Sequence, residues 1–196
     1  MNLRKSIILV ATYVSITLSL GQVPPNLKPD AGHFSDGVYV NSYFRLAYTL
    51  GGGWYLNEDL MKGRISRFSG NYLLLAADRH TGKPMRERVL LVADDASQYK
   101  PRLSPVEYVT KMGKALIQHP GMELVRNSYQ VEHAGKTFAR MDYKESYGSG
   151  SVSRAFAATE VNGYLLSWTF VANSPQELNE LVDSLDRLSF KAAAKQ

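Results

Sequence analysis

An aromatic pair that follows three glycines is the first feature of this chain that could bind a ligand. Trp54 and Tyr55 come directly after the glycines at 51–53. Aromatic rings on a surface loop can stack against a flat ligand, while their polar atoms remain free to form hydrogen bonds. The same tryptophan could instead anchor the turn to the core. Trp54 and Tyr55 are therefore the candidate binding residues, with a structural role for Trp54 as the alternative.

A dispersed set of acidic and imidazole side chains could serve acid–base chemistry. Asp78 and His80 are two residues apart, so both would lie on one face of a strand, and His133 follows in a later segment. Proton transfer needs groups within hydrogen-bonding reach of each other, and these three are the candidates for an exported hydrolase. The adjacent Asp94 and Asp95 could bind a cation or act as an acid–base pair, although adjacent carboxylates at a strand end are usually just a solvated exit from the strand.

The motifs of well-known catalytic and cofactor-binding sites are missing from the sequence. The segment 148–151 (GSGS) lacks the spacing of a nucleophile elbow. Ala115 stands where a phosphate-binding loop needs Ser or Thr, and Leu56 replaces the last glycine of a dinucleotide fingerprint. The four histidines (33, 80, 119 and 133) have no further ligands at metal-binding spacing, and the chain has no cysteine. We therefore expect no recognised catalytic set, no metal site and no cofactor.

The first 21 residues have the layout of a secretory signal peptide. Arg4 and Lys5 precede an apolar run over residues 6–20, and small residues at Ser19 and Gly21 favour cleavage after Gly21. The run is diluted by Thr and Ser, whereas a membrane-spanning helix needs about 20 mostly apolar residues. No second such run follows. The sequence predicts an exported protein, periplasmic or secreted, with no transmembrane segment after cleavage.

Composition limits the partners of the remaining chain, which has the length of about one domain. The formal charge of +5 falls to +3 without Arg4 and Lys5. The other basic residues are interleaved with acidic ones, and no block of like charge predicts nucleic-acid binding. A weak contact with an anionic envelope surface stays open.

The pattern of apolar and turn residues predicts a single α+β domain over residues 37–190. Residues 22–36 contain three prolines and are predicted to be an extended leader, and residues 191–196 a frayed tail. Ser104 and Ser174 each begin a capping-box sequence, which predicts one helix over 104–119 and another from 174 to about 188. Asn162-Gly163 predicts a tight hairpin. Strand-like segments are predicted at 38–40, 43–48, 71–78, 88–93, 122–131, 137–147, 152–160 and 164–172.

These elements predict an antiparallel meander packed by two main helices, and their order resembles the PsbP-like fold superfamily. The resemblance covers about residues 37–190 and depends on three features. They are the strand pair ending in a glycine turn and Trp54, the helix 104–119 before antiparallel strands, and the ending 164–190. Leu50 and the glycines at 51–53 stand where relatives often have a proline.

The resemblance implies an α/β/α sandwich and an activity of binding or assembly rather than catalysis. Together with the signal peptide, it leads to our main hypothesis of an exported, non-enzymatic module of the cell envelope. Its partner would be an unknown envelope protein or small ligand. The alternative hypothesis is an exported hydrolase built on the dispersed acid–base residues.

Overall fold

The computed structural model describes residues 28–63, 70–83, 85–148 and 150–190, which form two antiparallel sheets and three α-helices. The small sheet has the strand order β1-β2-β3-β11, and the main sheet has the order β4-β5-β6-β10-β9-β8-β7. The strands are β1 (Gly32–Ser35), β2 (Val38–Asn41), β3 (Leu46–Thr49), β4 (Trp54–Leu56), β5 (Asn71–Arg79), β6 (Glu87–Asp95), β7 (Met122–His133), β8 (Lys136–Tyr147), β9 (Gly150–Val161), β10 (Tyr164–Ala172) and β11 (Leu188–Phe190). The helices are α1 (Glu58–Gly63), α2 (Pro105–Leu116) and α3 (Pro175–Val182).

The second half of the main sheet follows the sequence prediction closely. β7 to β10 are consecutive antiparallel neighbours, and Asn162-Gly163 forms the last hairpin with φ values of 52° and 81°. Both angles are positive, as the favoured two-residue hairpin turn requires. The rest departs from a single meander, because β10 pairs with β6 and the first three strands form a separate sheet with β11. The α+β class is confirmed, and the single-sheet arrangement is corrected.

The two predicted helices pack on opposite faces of the main sheet. Ser104 and Glu107 form the predicted capping box of α2, which contacts Met141 and Leu165 on one face. Ser174 caps α3, whose apolar side packs on Trp168 on the other face, but this helix ends at Val182 and continues as a 3-10 segment, Asp183–Arg187. The small sheet shares the α3 face, so the predicted sandwich holds in part. No helix among the described residues has the length and apolar character needed to cross a membrane.

Several short elements have no strong local signal in the sequence. β1 lies inside the predicted leader (22–36), where pairing with β2 orders it. The three-residue strands β4 and β11 form by pairing with β5 and β3, respectively. The predicted signal peptide (1–21) and tail (191–196) lie outside the described residues.

Candidate functional site

A cleft opens between α3 and strands β7, β8 and β9, at one edge of the main sheet. Its volume is about 400 Å³, within the usual size range of small-molecule sites. Its lining combines apolar side chains with a few polar and charged ones, which is the composition expected of such sites. We call it the α3 cleft, lined by Val125, Arg126, Tyr129, Val131, Arg140, Asp142, Tyr143, Ser153, Pro175, Leu178 and Asn179.

Two irregularities in β7 determine which side chains face the cleft. On β8, Arg140 and Asp142 are two residues apart, yet their partners on β7, Tyr129 and Arg126, are three apart. Strict alternation would place residues 126 and 129 on opposite faces of the sheet. The extra residue brings both to the cleft face, where the Arg126 guanidinium carbon lies 3.6 Å from the centre of the Tyr129 ring. Bulges of this kind commonly re-aim side chains beside functional sites.

A hydrogen-bonded network forms the polar floor of the cleft. Arg140 is 7% exposed, and its Nε donates to Asp142 Oδ1 at 2.7 Å while its Nη2 donates to Asn179 Oδ1 at 2.8 Å. The Tyr129 hydroxyl donates to the other Asp142 oxygen at 2.9 Å. Both Asp142 oxygens therefore have partners, and the opposite charges of Arg140 and Asp142 offset each other.

The Tyr129 hydroxyl stays protonated at neutral pH. Burial raises the pKa of Tyr129, and its hydrogen bond to the Asp142 carboxylate raises it further, whereas the nearby guanidinium of Arg140 lowers it. The balance leaves the pKa above its ordinary value near 10. Tyr129 is therefore a hydrogen-bond donor that holds Asp142, and it is not poised as a base.

The aromatic pair singled out in the sequence lies elsewhere, at the opposite edge of the main sheet. Trp54 is 7% exposed and packs in the core, with the Arg79 guanidinium 5.1 Å from its ring centre. Tyr55 is half-buried and stacks on His80 with ring centres 5.5 Å apart. Trp54 thus anchors the glycine turn to the core. A binding role for Trp54 and Tyr55 stays a prediction. Of the two side chains, Tyr55 is the more exposed to solvent.

The three acid–base candidates are not brought together. Asp78 and His80 lie at the end of β5, whereas His133 ends β7, and four strands separate these two. At about 4.8 Å per strand, the separation is about 24 Å. His133 instead contacts Asp186, with 2.9 Å between Nδ1 and Oδ1. These residues cannot serve one active site, and the hydrolase hypothesis loses its candidate set.

Asp78 is held as a structural carboxylate. Its side chain is fully buried and accepts two hydrogen bonds from Arg88, at 2.7 and 2.9 Å, and one from Asn57 at 2.8 Å. Burial alone raises the pKa of Asp78, but the Arg88 and Asn57 hydrogen bonds and the charges of Arg88 and Arg86 outweigh it. The net pKa of Asp78 lies below its usual value.

This depressed pKa predicts how stability depends on pH. The contribution of Asp78 is present above its unfolded-state pKa of about 3.9 and is lost as the pH falls through the lower folded-state value. We expect Asp78→Asn to reduce the free energy of unfolding by about 2 kcal/mol at pH 7. The deficit should shrink below about pH 4, where the wild type also becomes protonated. Urea titrations at several pH values measure this difference.

The exposed Asp183→Asn variant is the control for that prediction, because it removes one carboxylate from the surface. It should change stability by less than about 0.5 kcal/mol at pH 7. A deficit of the Asp78→Asn variant that stays constant from pH 7 to pH 2 would show that its charge contributes nothing.

The adjacent carboxylates at the end of β6 face different surroundings. Asp94 is 5% exposed and accepts a hydrogen bond from the Tyr108 hydroxyl under α2. Burial raises the pKa of Asp94, and that hydrogen bond acts against it. Asp95 instead accepts from the Ser97 backbone N–H at 2.9 Å and caps the 3-10 turn Ala96–Gln98. The two carboxylates therefore do not form an acid–base pair.

The next two predictions concern metal binding and contact with an anionic envelope surface. Within the part of the chain that it describes, no group of three or more His, Asp or Glu side chains could hold a metal ion. Four basic residues beyond the predicted signal peptide are outside the described ranges, so contact with an anionic envelope surface stays a prediction. These are Arg64, Arg67, Lys191 and Lys195.

The sequence contains one weak signal for the α3 cleft, the alternation of residues along β8. Arg140 and Asp142 share a strand face with the buried Phe138, because the three alternate along β8. The same face also carries Lys136, Lys144 and Ser146, so alternation alone favours a solvated face there and does not predict a buried ion pair. The contribution of Arg126 had no such signal, because it depends on the bulges of β7.

The strands and helices form an α+β fold that is similar to the fold of a solved PsbP structure. The solution structure of cyanobacterial PsbP (CyanoP) from Synechocystis sp. PCC 6803 is similar with a TM-score of 0.53 and 10% identity, over 88% of this chain and 99% of that one. The predicted fold resemblance is thereby confirmed.

Two other solved structures are similar to this chain at lower TM-scores. Protein PA94 of Pseudomonas aeruginosa is similar at a TM-score of 0.43 and 17% identity, over 59% of this chain and 77% of that one. LpqN of Mycobacterium tuberculosis, described as involved in cell envelope biogenesis, is similar at a TM-score of 0.38 and 12% identity, over 68% of this chain and 93% of that one. No protein-family model matches the chain, and no curated protein does.

Proposed function

We propose that this chain is an exported, non-enzymatic binding or assembly module of the cell envelope that holds its ligand in the α3 cleft. The observation that carries the proposal is the cleft itself, with apolar walls over a fully hydrogen-bonded polar floor. These hydrogen bonds hold the side chains of the floor in one arrangement, so that the cleft is formed before a ligand binds. The predicted signal peptide, with cleavage after Gly21, supports the location.

The geometry favours binding over hydrolysis. Catalysis by nucleophile and base needs two groups in contact, one of them oriented by a third. In the α3 cleft the hydroxyl of Tyr129 donates to Asp142, but burial raises the pKa of that hydroxyl and Arg140 offsets the charge of Asp142, so the hydroxyl is not activated as a nucleophile. No histidine lines the cleft among the described residues. The ligand should therefore leave the cleft chemically unchanged.

A cleft-filling variant tests the proposal. Ser153 is half-buried and lines the cleft from β9, whereas Ser151 lies two residues away on the same strand and is exposed. Wild-type protein from its own cells, captured with an affinity tag, should carry a small ligand or partner at near one equivalent. Ser153→Phe should reduce this at least tenfold, and Ser151→Phe should retain it. Mass spectrometry of the released material gives the measurement.

Two results would contradict the proposal. One is wild-type protein with no enriched compound or partner, and the other is equal recovery from Ser153→Phe. Because an added ring in a packed sheet can cost about 1–3 kcal/mol, the thermal unfolding of each variant is compared first. Capture is then carried out well below the lowest midpoint.

A further inference from the structure

We propose that the α3 cleft is specific for a monocarboxylate with a short apolar body, and that Arg126 binds the carboxylate. This inference rests on the proposed function, since it names the ligand class of the same cleft. It follows from three observations: the charge balance of the lining, the orientation of the Arg126 guanidinium and the arrangement of the apolar walls.

The charge balance of the cleft leaves one positive charge without a counter-ion. Its charged lining residues, among those described, are Arg126, Arg140 and Asp142. Arg140 and Asp142 pair with each other at 2.7 Å. No carboxylate of the described residues lies within ion-pairing distance of Arg126, which is exposed at the rim. The cleft therefore favours a ligand with a single negative charge.

Among the described residues, none accepts a hydrogen bond from the Arg126 guanidinium, so its donors are available to a ligand. The guanidinium lies over the Tyr129 ring, 3.6 Å from the ring centre. Contact with an aromatic ring uses the face of the guanidinium, while the N–H groups point outward in its plane. Two of them can then bind both oxygens of one carboxylate in parallel, which is the preferred geometry for this pair. Tyr129 is itself fixed by its hydrogen bond to Asp142.

The apolar walls determine the rest of the ligand. Val125 is 65% exposed beside Arg126, and it is the most exposed of the large apolar side chains in the described residues. Val131 and the side chain of Leu178 continue the apolar lining from β7 to α3. A cleft of about 400 Å³ accommodates a body of moderate size. A ligand with a carboxylate at one end and an apolar group of a few carbons at the other could contact both the Arg126 guanidinium and the apolar walls.

Two sources could supply this chemistry, and the probes separate them. N-acetyl-leucine represents the carboxyl end of a peptide with an apolar last residue, and octanoate represents an aliphatic acid. N-acetyl-leucinamide and octanamide are matched neutral controls of nearly the same shape. Phenyl phosphate tests a dianionic group. Two-dimensional NMR titrations of the ¹⁵N-labelled protein give the affinities and locate the shifted resonances.

We expect at least one of the two acids to bind and to shift the resonances of Tyr129, Val131 and Asn179. Its amide should bind at least tenfold more weakly. Arg126→Gln should weaken the acid at least tenfold, and Arg126→Lys should recover part of the loss because it retains the charge. The control is Arg102→Gln, which removes an exposed arginine paired with Glu160 and should leave binding unchanged.

Several outcomes would overturn the carboxylate assignment. They are equal binding of acid and amide, tighter binding of phenyl phosphate, an unchanged affinity in Arg126→Gln, or no binding of either acid. Each of these leaves the proposed function intact if Ser153→Phe still abolishes capture of the native ligand. Failure of that capture experiment removes both proposals, so the two failures are distinguishable.

Discussion

Replacing Arg140 by leucine is expected to destabilise the protein by about 3 kcal/mol, because it leaves a largely buried carboxylate without its counter-charge. The side chains of Arg140 and Asp142 are 9% and 14% exposed, so water cannot replace the lost partner effectively. Asn179 would lose a donor as well. Urea denaturation at pH 7, analysed by linear extrapolation, measures the loss.

The double variant, Arg140→Leu with Asp142→Leu, is the matched control. It removes both charges together, and replacement of a buried ion pair by apolar groups is often nearly neutral. The double variant should therefore recover most of the stability that the single variant loses, with some cost from the Tyr129 hydroxyl, which loses its acceptor. A double variant at least as unstable as the single one would show that the pair is not coupled as described.

The same two variants make a separate prediction about binding. In the single variant Asp142, the cross-strand partner of Arg126, would be an uncompensated negative charge beside it, and a carboxylate ligand should bind much more weakly. In the double variant the positive charge of Arg126 again has no counter-ion, so affinity should return toward the wild-type value. This order differs from that expected if Arg140 itself bound the ligand, since both variants would then fail equally.

Features that depend on a few neighbouring residues were predicted well from the sequence. Ser104 and Ser174 carry the caps of α2 and α3, and Asn162-Gly163 forms the turn that its type predicts. Each of these involves hydrogen bonds or backbone angles within about four residues. The caps and the turn can therefore be predicted from neighbouring residues, without knowledge of the rest of the fold.

Features that depend on distant pairing were missed. β11 consists of three residues and forms because Leu188 to Phe190 meet β3, more than 130 residues earlier. Residues 43–48 were predicted as one strand, yet β3 begins only at Leu46, and Arg45 has a positive φ of 50°. In both cases the partner strand selects the paired residues, and no local periodicity reports that choice.

The candidate site illustrates the same limit in functional terms. The glycines before Trp54 predicted a binding residue on a surface loop, but the Trp54 ring packs in the core. The α3 cleft instead depends on a register shift in β7 that places Arg126 over Tyr129. A one-residue shift exchanges the faces of a strand, so no spacing rule could join these two residues. For Arg140 and Asp142, alternation along β8 predicts that they share a strand face, but their burial depends on packing against α3.

The cleft also depends on the core that holds the two sheets together, and Trp168 is at its centre. This residue is fully buried, with ring centres 5.6 Å from Phe138 on β8 and 6.4 Å from Tyr48 on β3. It therefore joins the main sheet to the small sheet, beneath the face that supports α3. Loss of this ring should affect both sheets.

Trp168→Ala is expected to reduce the free energy of unfolding by about 4 kcal/mol, in the range observed for removal of a large buried aromatic ring. Trp168→Phe should cost less than half as much, since it retains a ring and removes an indole N–H that has no hydrogen-bond partner in the described residues. Val125→Ala, at an exposed position, should change stability by less than about 0.5 kcal/mol. Denaturant midpoints rank the three variants.

Hydrogen exchange would show which strands are destabilised by the loss of the Trp168 ring. In Trp168→Ala the amides of β2 and β3 should lose protection first, because Tyr48 of the small sheet contacts the lost ring directly, whereas the hairpin of β9 and β10 should keep the global value longest. Uniform loss across both sheets would mean that they unfold as one unit. A stability change below about 1 kcal/mol would contradict the assignment of Trp168 as the link between the sheets.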